Sequence, residues 1–149
     1  MKKIIDHRKL FDVSHDADLN TLKTIYRNLI KEWHPDKFQD NDELKAEAEA
    51  KSKTIIEAYH FLVSIAPETH TINADVYTKT INNFGIEDFE YKGQTLKVTF
   101  QDGSIYEYFS VPKNIYSKLI NAPAQSRFAR RHIFTTYLHR NVSRSAIVV

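Results

Sequence analysis

The first third of the chain repeats apolar residues at intervals of three and four. From Leu19 to Trp33 the repeated positions are Leu22, Ile25, Tyr26, Leu29 and Ile30. This spacing places them on one face of an α-helix. Asp18 is predicted to cap the first turn, because its carboxylate can accept unpaired backbone N–H groups. Pro35 disfavours helical geometry at the preceding residue, so the helix is predicted to end near Trp33.

A second amphipathic helix is predicted from Leu44 to Leu62, capped by either Asn41 or Asp42. Its first part is rich in alanine and charge, and its second part carries the apolar positions Ile55, Ala58, Tyr59 and Leu62. A short segment, 7–12, precedes the first of these two helices. Residues 1–66 are therefore predicted to form an all-α domain built on an antiparallel helical hairpin.

The periodic pattern stops after Ser64. Residues 67–75 contain a proline and no clear period, so they are predicted to be a linker, with no fourth helix directly after Ala66. The stretch from Val76 to Asn83 is ambiguous between strand and loop. A domain boundary is therefore expected in this part of the chain.

Strict alternation in the second half predicts strands, with apolar residues at Leu96, Val98 and Phe100. A two-residue turn at Asp102-Gly103 would place Val98 opposite Glu107. A three-residue loop with Gly103 in the left-handed region instead pairs Val98 with Tyr106, and Lys97 with Glu107. The second register buries no charge and gives a favourable cross-strand pair, so it is the one predicted.

An earlier strand around residues 89–91 completes a three-stranded antiparallel meander, and two helices opening at Pro112 and Pro123 are predicted to follow. The second helix is expected to carry Phe128 and continue through residues 133–138. Residues 76–142 are thus predicted to be an α+β domain, with 143–149 as a tail that is either a short strand or disordered. The predicted fold class is α+β in two small domains.

Composition narrows the function classes. The chain has 149 residues, 42% of them hydrophobic and 27% charged, which is typical of a globular protein. The absence of cysteine excludes disulfide scaffolds, cysteine-ligated zinc and thiol catalysis. The histidines lack metal-ligand spacing, and no activated-serine motif or phosphate-cradling glycine loop occurs, so neither an enzyme nor a cofactor is expected. No apolar run reaches the roughly 20 residues of a membrane span, which favours a cytoplasmic protein without a membrane partner.

Charge is distributed unevenly around a net value of +2. Up to Glu107 there are 14 basic and 19 acidic residues, whereas seven basic residues and no acid follow it. Arg127, Arg130 and Arg131 lie together on the last predicted helix. Phosphate groups would favour such a cluster, so RNA binding is one interpretation. A solvated helix face is an equally good one.

The proline after the first long helix belongs to the tripeptide His34-Pro35-Asp36, which connects the two amphipathic helices. Lys23, Arg27 and Lys31 form a basic stripe along the first of them. Together with further positions, this arrangement resembles the J domain, the DnaJ-type module that works with DnaK-type ATPase chaperones. The resemblance covers roughly the first 65 residues and includes Leu10 to Val13, Tyr26, Leu29, Trp33, Lys37, Ile55, Glu57 to Tyr59, and Leu62.

The resemblance implies a DnaK-type chaperone as partner, bound through His34, Pro35, Asp36, Lys23, Arg27, Lys31 and Lys37. Contact would bias that chaperone toward ATP hydrolysis, with no bond made or broken on this chain. The sequence departs from larger DnaJ-type proteins because it has only three glycines and so no glycine-rich linker. Ser52 also stands where a core aromatic residue would be expected.

Residues 76–142 resemble the KTSC domain, a module named for its likeness to the C terminus of some lysyl-tRNA synthetases. The matching positions are Leu96, Val98, Phe100, Gly103, Tyr106, Tyr108, Val111, Pro112, Tyr116, Leu119, Phe128 and the segment 133–137. The resemblance implies a targeting or binding module for RNA or a protein client. The sequence therefore predicts a J-domain co-chaperone, with an RNA- or tRNA-binding protein as the alternative.

Overall fold

The computed structural model describes residues 2–143, which fall into two compact units, one ending at His70 and the other beginning at Thr71. The first unit is helical. Its elements are α1 (Lys2–Phe11), α2 (Leu19–Trp33), a single 3₁₀ turn (Pro35–Phe38) and α3 (Asp42–Ile65). A further helix, α4 (Pro67–Ile72), begins in this unit and ends two residues after His70. The all-α character predicted for this part of the chain is confirmed, and α2 ends at the predicted residue.

Side-chain caps fix where the two long helices begin. The Thr21 N–H donates to Asp18 Oδ1 over 2.7 Å. Hydrogen bonding from Thr21 lowers the pKa of this carboxyl. At the start of α3, the Asn41 side chain accepts the N–H groups of Glu43 and Leu44. Of the two residues that the sequence offers as caps, Asn41 is therefore the one used.

The core of this unit is formed where α1 and α2 pack against α3. Tyr59 of α3 lies at its centre, stacked on the ring of Tyr26 at a centroid distance of 4.2 Å and facing Phe11 at 6.5 Å. Leu22 of α2 and Ile55 of α3 are almost completely buried as well. The apolar positions that repeat every three or four residues thus form the hairpin interface, as the sequence pattern indicates.

The expectation of no helix after Ala66 is wrong, and so is the strand-or-loop interpretation of residues 76–83. Pro67 opens α4, since its fixed φ suits a first helical position. Ala74–Asn83 forms α5, whose Tyr77 and Ile81 face inward at helical spacing. Threonine and valine lower its intrinsic helix propensity, and burial of that face outweighs this preference. The stretch 67–75 is thus largely helical, while the domain limits themselves stay a prediction.

The second unit contains one antiparallel sheet with strand order β1 (Ile86–Lys92), β2 (Thr95–Phe100), β3 (Ile105–Tyr108) and β4 (His139–Asn141). Helices α6 (Lys113–Asn121) and α7 (Gln125–His132) lie between β3 and β4 in the chain. The three-stranded meander is confirmed, and so is the register that pairs Val98 with Tyr106. Gly103 has a φ of 89°, the left-handed geometry that this loop needs.

Two details of this unit differ from the prediction. The last helix ends at His132, and the buried residues Ile133 and Phe134 follow it in turns. Strand β4 is an addition to the meander, because its three half-buried residues show no alternation that a sequence pattern would reveal. The predicted tail lies outside the described residues from position 144 onward.

Backbone pairing places a row of alternating charges across the four strands. Glu90 of β1 is opposite Lys97 of β2, which is opposite Glu107 of β3, which in turn is opposite Arg140 of β4. The Arg140 Nε lies 3.1 Å from Glu107 Oε1. Each neighbour in the row has the opposite sign, so the row favours this register over a slipped one.

Candidate functional site

The tripeptide His34-Pro35-Asp36 lies at the exposed junction between α2 and α3. His34 is extended, with φ −62° and ψ 128°, and it caps the short 3₁₀ turn that begins at Pro35. Its Nδ1 accepts the Asp36 N–H at 3.2 Å, and its carbonyl accepts the Lys37 N–H at 3.0 Å. The fixed φ of the proline restricts the chain to this tight path and favours the conformation that these hydrogen bonds hold.

The hydrogen bonds determine which groups the loop presents. The Asp36 N–H at Nδ1 matches the imidazole tautomer whose proton lies on Nε2, the ring nitrogen that is left to donate outward. Nδ1 also lies 3.5 Å from Asp36 Oδ2, a separation that becomes an ion pair only if the ring is protonated. The side chains of His34 and Asp36 are 50% and 75% exposed. The loop therefore offers an Nε2–H donor and a free carboxylate to an incoming molecule.

Three cations lie along one exposed face of α2. Lys23, Arg27 and Lys31 are all exposed and follow one another at intervals of four, while Leu22 on the opposite side is buried. None of the three forms an ion pair with any residue in the range 2–143. Lys37, in the 3₁₀ turn, is exposed as well. The three cations of α2 thus share one face of the helix that ends at the loop, where they can attract an acidic partner.

A contact from α3 holds the end of α2. Ser52 Oγ donates to the Trp33 carbonyl at 3.0 Å, and the Lys51 ammonium lies 5.8 Å from the centroid of the Trp33 ring. The sequence singles out Ser52 only as a missing aromatic residue. No local pattern shows that its hydroxyl meets a helix end 19 residues earlier in the chain.

The opposite end of α2 also has a partner that sequence reasoning missed. The Leu19 N–H donates to Glu68 Oε2 at 2.9 Å, so a carboxylate of α4 caps the start of α2 in addition to Asp18. This contact could not be foreseen because α4 itself was not expected. Both carboxylates are favourable beside the positive end of the helix dipole.

The three arginines proposed as phosphate contacts lie on α7. At about 100° per residue, Arg127, Arg130 and Arg131 fall within roughly 100° of arc, facing away from the fully buried Ala129. Arg127 and Arg131 are exposed, Arg130 is half-buried, and the three make no ion pair within the part of the chain described. Tyr106 and Tyr108 are buried, so they are not available for stacking on bases.

A metal site or a membrane-spanning helix would imply another kind of function for residues 2–143. No group of three or more histidine, aspartate or glutamate side chains there is arranged to hold a metal ion. None of the helices in that range is long and apolar enough to cross a bilayer.

The N-terminal unit is a helical hairpin whose cationic helix ends at an exposed His-Pro-Asp loop, which defines it as a helical interaction module. An antiparallel sheet with helices follows it in the chain. Comparison with protein families agrees with both parts. Residues 6–68 match the model of the DnaJ domain, and residues 83–137 match that of the KTSC domain. The chain therefore contains a DnaJ domain followed by a KTSC domain, in the order that the sequence predicts.

Curated relatives with DnaJ names are similar to part of the chain. The chain is 46% identical over 57 residues to the chaperone protein DnaJ of Thermoplasma volcanium, 38% of this chain and 15% of that protein. It is 41% identical over 59 residues to the human DnaJ homolog subfamily B member 3, a match that covers 40% of this chain and 39% of that protein. It is 36% identical over 104 residues to the chaperone protein DnaJ of Aliarcobacter butzleri, a match that covers 69% of this chain and 25% of that protein. The chain thus spans well under half the length of each of these relatives.

Proposed function

We propose that this protein is a J-domain co-chaperone that binds a DnaK-type chaperone and stimulates its ATP hydrolysis. The observation that carries the proposal is the pairing of an ordered, exposed His34–Asp36 loop with the adjoining unpaired cations of α2. The match of residues 6–68 to the DnaJ domain and the similarity to DnaJ proteins support it. A cytoplasmic location stays a prediction from the sequence.

The groups on the surface suggest a division of labour. Lys23, Arg27 and Lys31 would steer an acidic surface of the ATPase toward the loop and raise the rate of encounter. The Asp36 carboxylate could then accept a bidentate pair of hydrogen bonds from an arginine of the chaperone. The His34 Nε2–H would donate to a neighbouring acceptor. Contacts that are stronger in the hydrolysing conformation shift the chaperone toward it, so this chain would supply binding free energy and needs no cofactor of its own.

The salt dependence of binding tests this proposal. The double variant Arg27→Glu with Lys31→Glu should bind an ATP-loaded DnaK-type chaperone more weakly than the native chain, and the difference should shrink as salt rises. Lys45→Glu with Lys53→Glu is the matched control, since it changes the charge equally at exposed positions of α3. Fluorescence anisotropy of a labelled chain measures both. Absence of native binding, or an equal loss in the control, would count against the proposal.

The C-terminal unit is proposed to be the binding module that decides where the co-chaperone acts, and a nucleic acid is the second candidate partner. The specific observation is the arginine face of α7, which is free of acidic neighbours in the sequence from Ser110 to Ser143. With the tyrosines of β3 buried, contact would be to phosphates and not to bases. Binding would then show little sequence preference.

Filter binding with single-stranded RNA tests this second candidate. Three phosphate contacts predict a slope of about −2 for the logarithm of affinity against that of salt concentration, and Arg127→Gln should reduce the slope by about 0.7. Duplex DNA and anionic vesicles are the comparison ligands. Binding that is absent or insensitive to salt would remove the nucleic-acid interpretation, and a preference for the vesicles would point to a lipid surface instead.

A further inference from the structure

The peptide segment that leads from α2 into the loop is held at two successive carbonyls. The Trp33 carbonyl accepts from Ser52 Oγ at 3.0 Å, and the His34 carbonyl accepts from the Lys37 N–H at 3.0 Å. The second contact is local to the turn, whereas the first crosses to α3. The last four carbonyls of a helix have no donor within the helix itself. Among the residues described, Ser52 is the only donor from another helix to this end of α2.

A second contact from α3 reinforces the first. The Lys51 ammonium lies 5.8 Å from the centroid of the half-buried Trp33 ring, at the outer limit of a cation–π contact. Such a contact keeps the indole near α3 but leaves the peptide plane free to rotate. The Ser52 hydrogen bond is directional, so it fixes the orientation of the peptide from which His34 projects.

We propose that Ser52 is a positioning residue for the His34–Asp36 loop. Its hydroxyl holds the last carbonyl of α2 and thereby keeps the loop in the conformation that presents the His34 ring and the Asp36 carboxylate. Where a core aromatic residue would fill space, this chain uses a hydrogen bond to the helix end. The consequence for chaperone stimulation rests on the proposed function, whereas the order of the loop does not.

Removal of the hydroxyl should change affinity without changing the maximal effect. Without it, the Trp33 carbonyl must turn to water, and the loop occupies its presenting conformation for a smaller fraction of the time. Apparent affinity falls in proportion to that fraction, while the fully bound complex is unaltered. The loss of one hydrogen bond corresponds to a change of roughly twofold to tenfold.

Three variants of the full chain separate positioning from general stability. Ser52→Ala removes the hydrogen bond to Trp33, and because alanine favours the helix, the variant is expected to fold. Ser52→Thr keeps a hydroxyl and should restore most of the effect. Thr54→Ala is the control, because the Thr54 hydroxyl bonds only within its own helix, to the Ala50 carbonyl at 3.2 Å.

Two readouts decide the proposal. Hydrogen exchange of the Asp36 and Lys37 amides should be roughly twofold to tenfold faster in Ser52→Ala alone. In single-turnover ATP hydrolysis by a DnaK-type chaperone, the half-saturating concentration of Ser52→Ala should rise, by at most that factor, at an unchanged maximal rate. Unchanged amide exchange, or the same change in Thr54→Ala, would overturn the positioning role. Faster exchange in Ser52→Ala with a native chain that does not stimulate the chaperone would support positioning and refute the proposed function.

Discussion

Substitution of Tyr77 by phenylalanine should destabilise the C-terminal unit by a calculable amount. The Tyr77 hydroxyl donates to the Phe134 carbonyl at 2.6 Å and lies 2.9 Å from the Tyr108 hydroxyl, which must therefore donate to it. Tyr108 is 0% and Phe134 is 1% exposed, so water cannot replace the lost partner. The phenylalanine ring would keep its stack on His139 at 4.0 Å, so packing is preserved.

The expected cost follows from the two groups left without a partner. Each buried polar group of this kind costs about 1–3 kcal/mol, and with some relaxation the sum should be about 2–4 kcal/mol. For a unit of this size, a urea m-value near the low end of the usual range, about 1–1.5 kcal/mol/M, converts this into a midpoint lowered by roughly 1.3–4 M. Tyr116→Phe is the matched control, since the half-buried Tyr116 hydroxyl makes no hydrogen bond with the residues described.

Each unit of the chain has its own spectroscopic signal for this measurement. Trp33 is the single tryptophan and lies in the N-terminal unit, so its fluorescence follows that unit. Near-ultraviolet circular dichroism of tyrosine follows mainly the C-terminal one. In Tyr77→Phe, the urea midpoint of the tyrosine signal should fall, and the midpoint of the tryptophan signal should equal the native one. A tyrosine midpoint within about 0.3 M of the native value, or an equal shift in Tyr116→Phe, would refute the reasoning.

Three further outcomes are expected. Gln94 has a φ of 65° in the turn between β1 and β2, so Gln94→Gly should raise the free energy of unfolding by about 0.5–1 kcal/mol. Gly103→Ala should lower it by a similar amount. Urea unfolding measures both. Lys97→Glu places three acids in a row with Glu90 and Glu107 and should cost about 1–2 kcal/mol at low salt and less at high salt. Burial raises the pKa of Tyr77, Tyr106 and Tyr108 in the folded chain. The free energy of unfolding should therefore be unaffected by these groups below about pH 10, the pKa of tyrosine in the unfolded chain. Above it, stability should fall by about 1.4 kcal/mol per pH unit for each such tyrosine, as alkaline unfolding curves would measure.

Local patterns were sufficient to predict much of this fold. The helical hairpin follows from apolar spacing, from the Asp18 cap and from the stop at Pro35, all of which act over a few residues. The hairpin register could be argued because only one pairing avoids burying Glu107. The exposed loop and its cationic helix are equally local features, since a break between two periodic segments is visible in the sequence.

Features that depend on distant contacts were missed. Helix α5 has weak intrinsic propensity and is stabilised by Tyr77, whose partners lie 31 and 57 residues away. Strand β4 exists because β3 offers it an open edge. The roles of Ser52 and Glu68 likewise come from contacts across 19 and 49 residues. Periodicity and capping rules carry no information about such pairs.

The proposed function depends on activation of a DnaK-type chaperone by the His34–Asp36 loop. Its most direct test is the rate of single-turnover ATP hydrolysis by that chaperone with the native chain and with His34→Gln. His34 is exposed and outside both cores, so the variant should fold and unfold like the native chain. The native chain should accelerate hydrolysis and the variant should not. Equal acceleration by both, or none by the native chain, would contradict the claim.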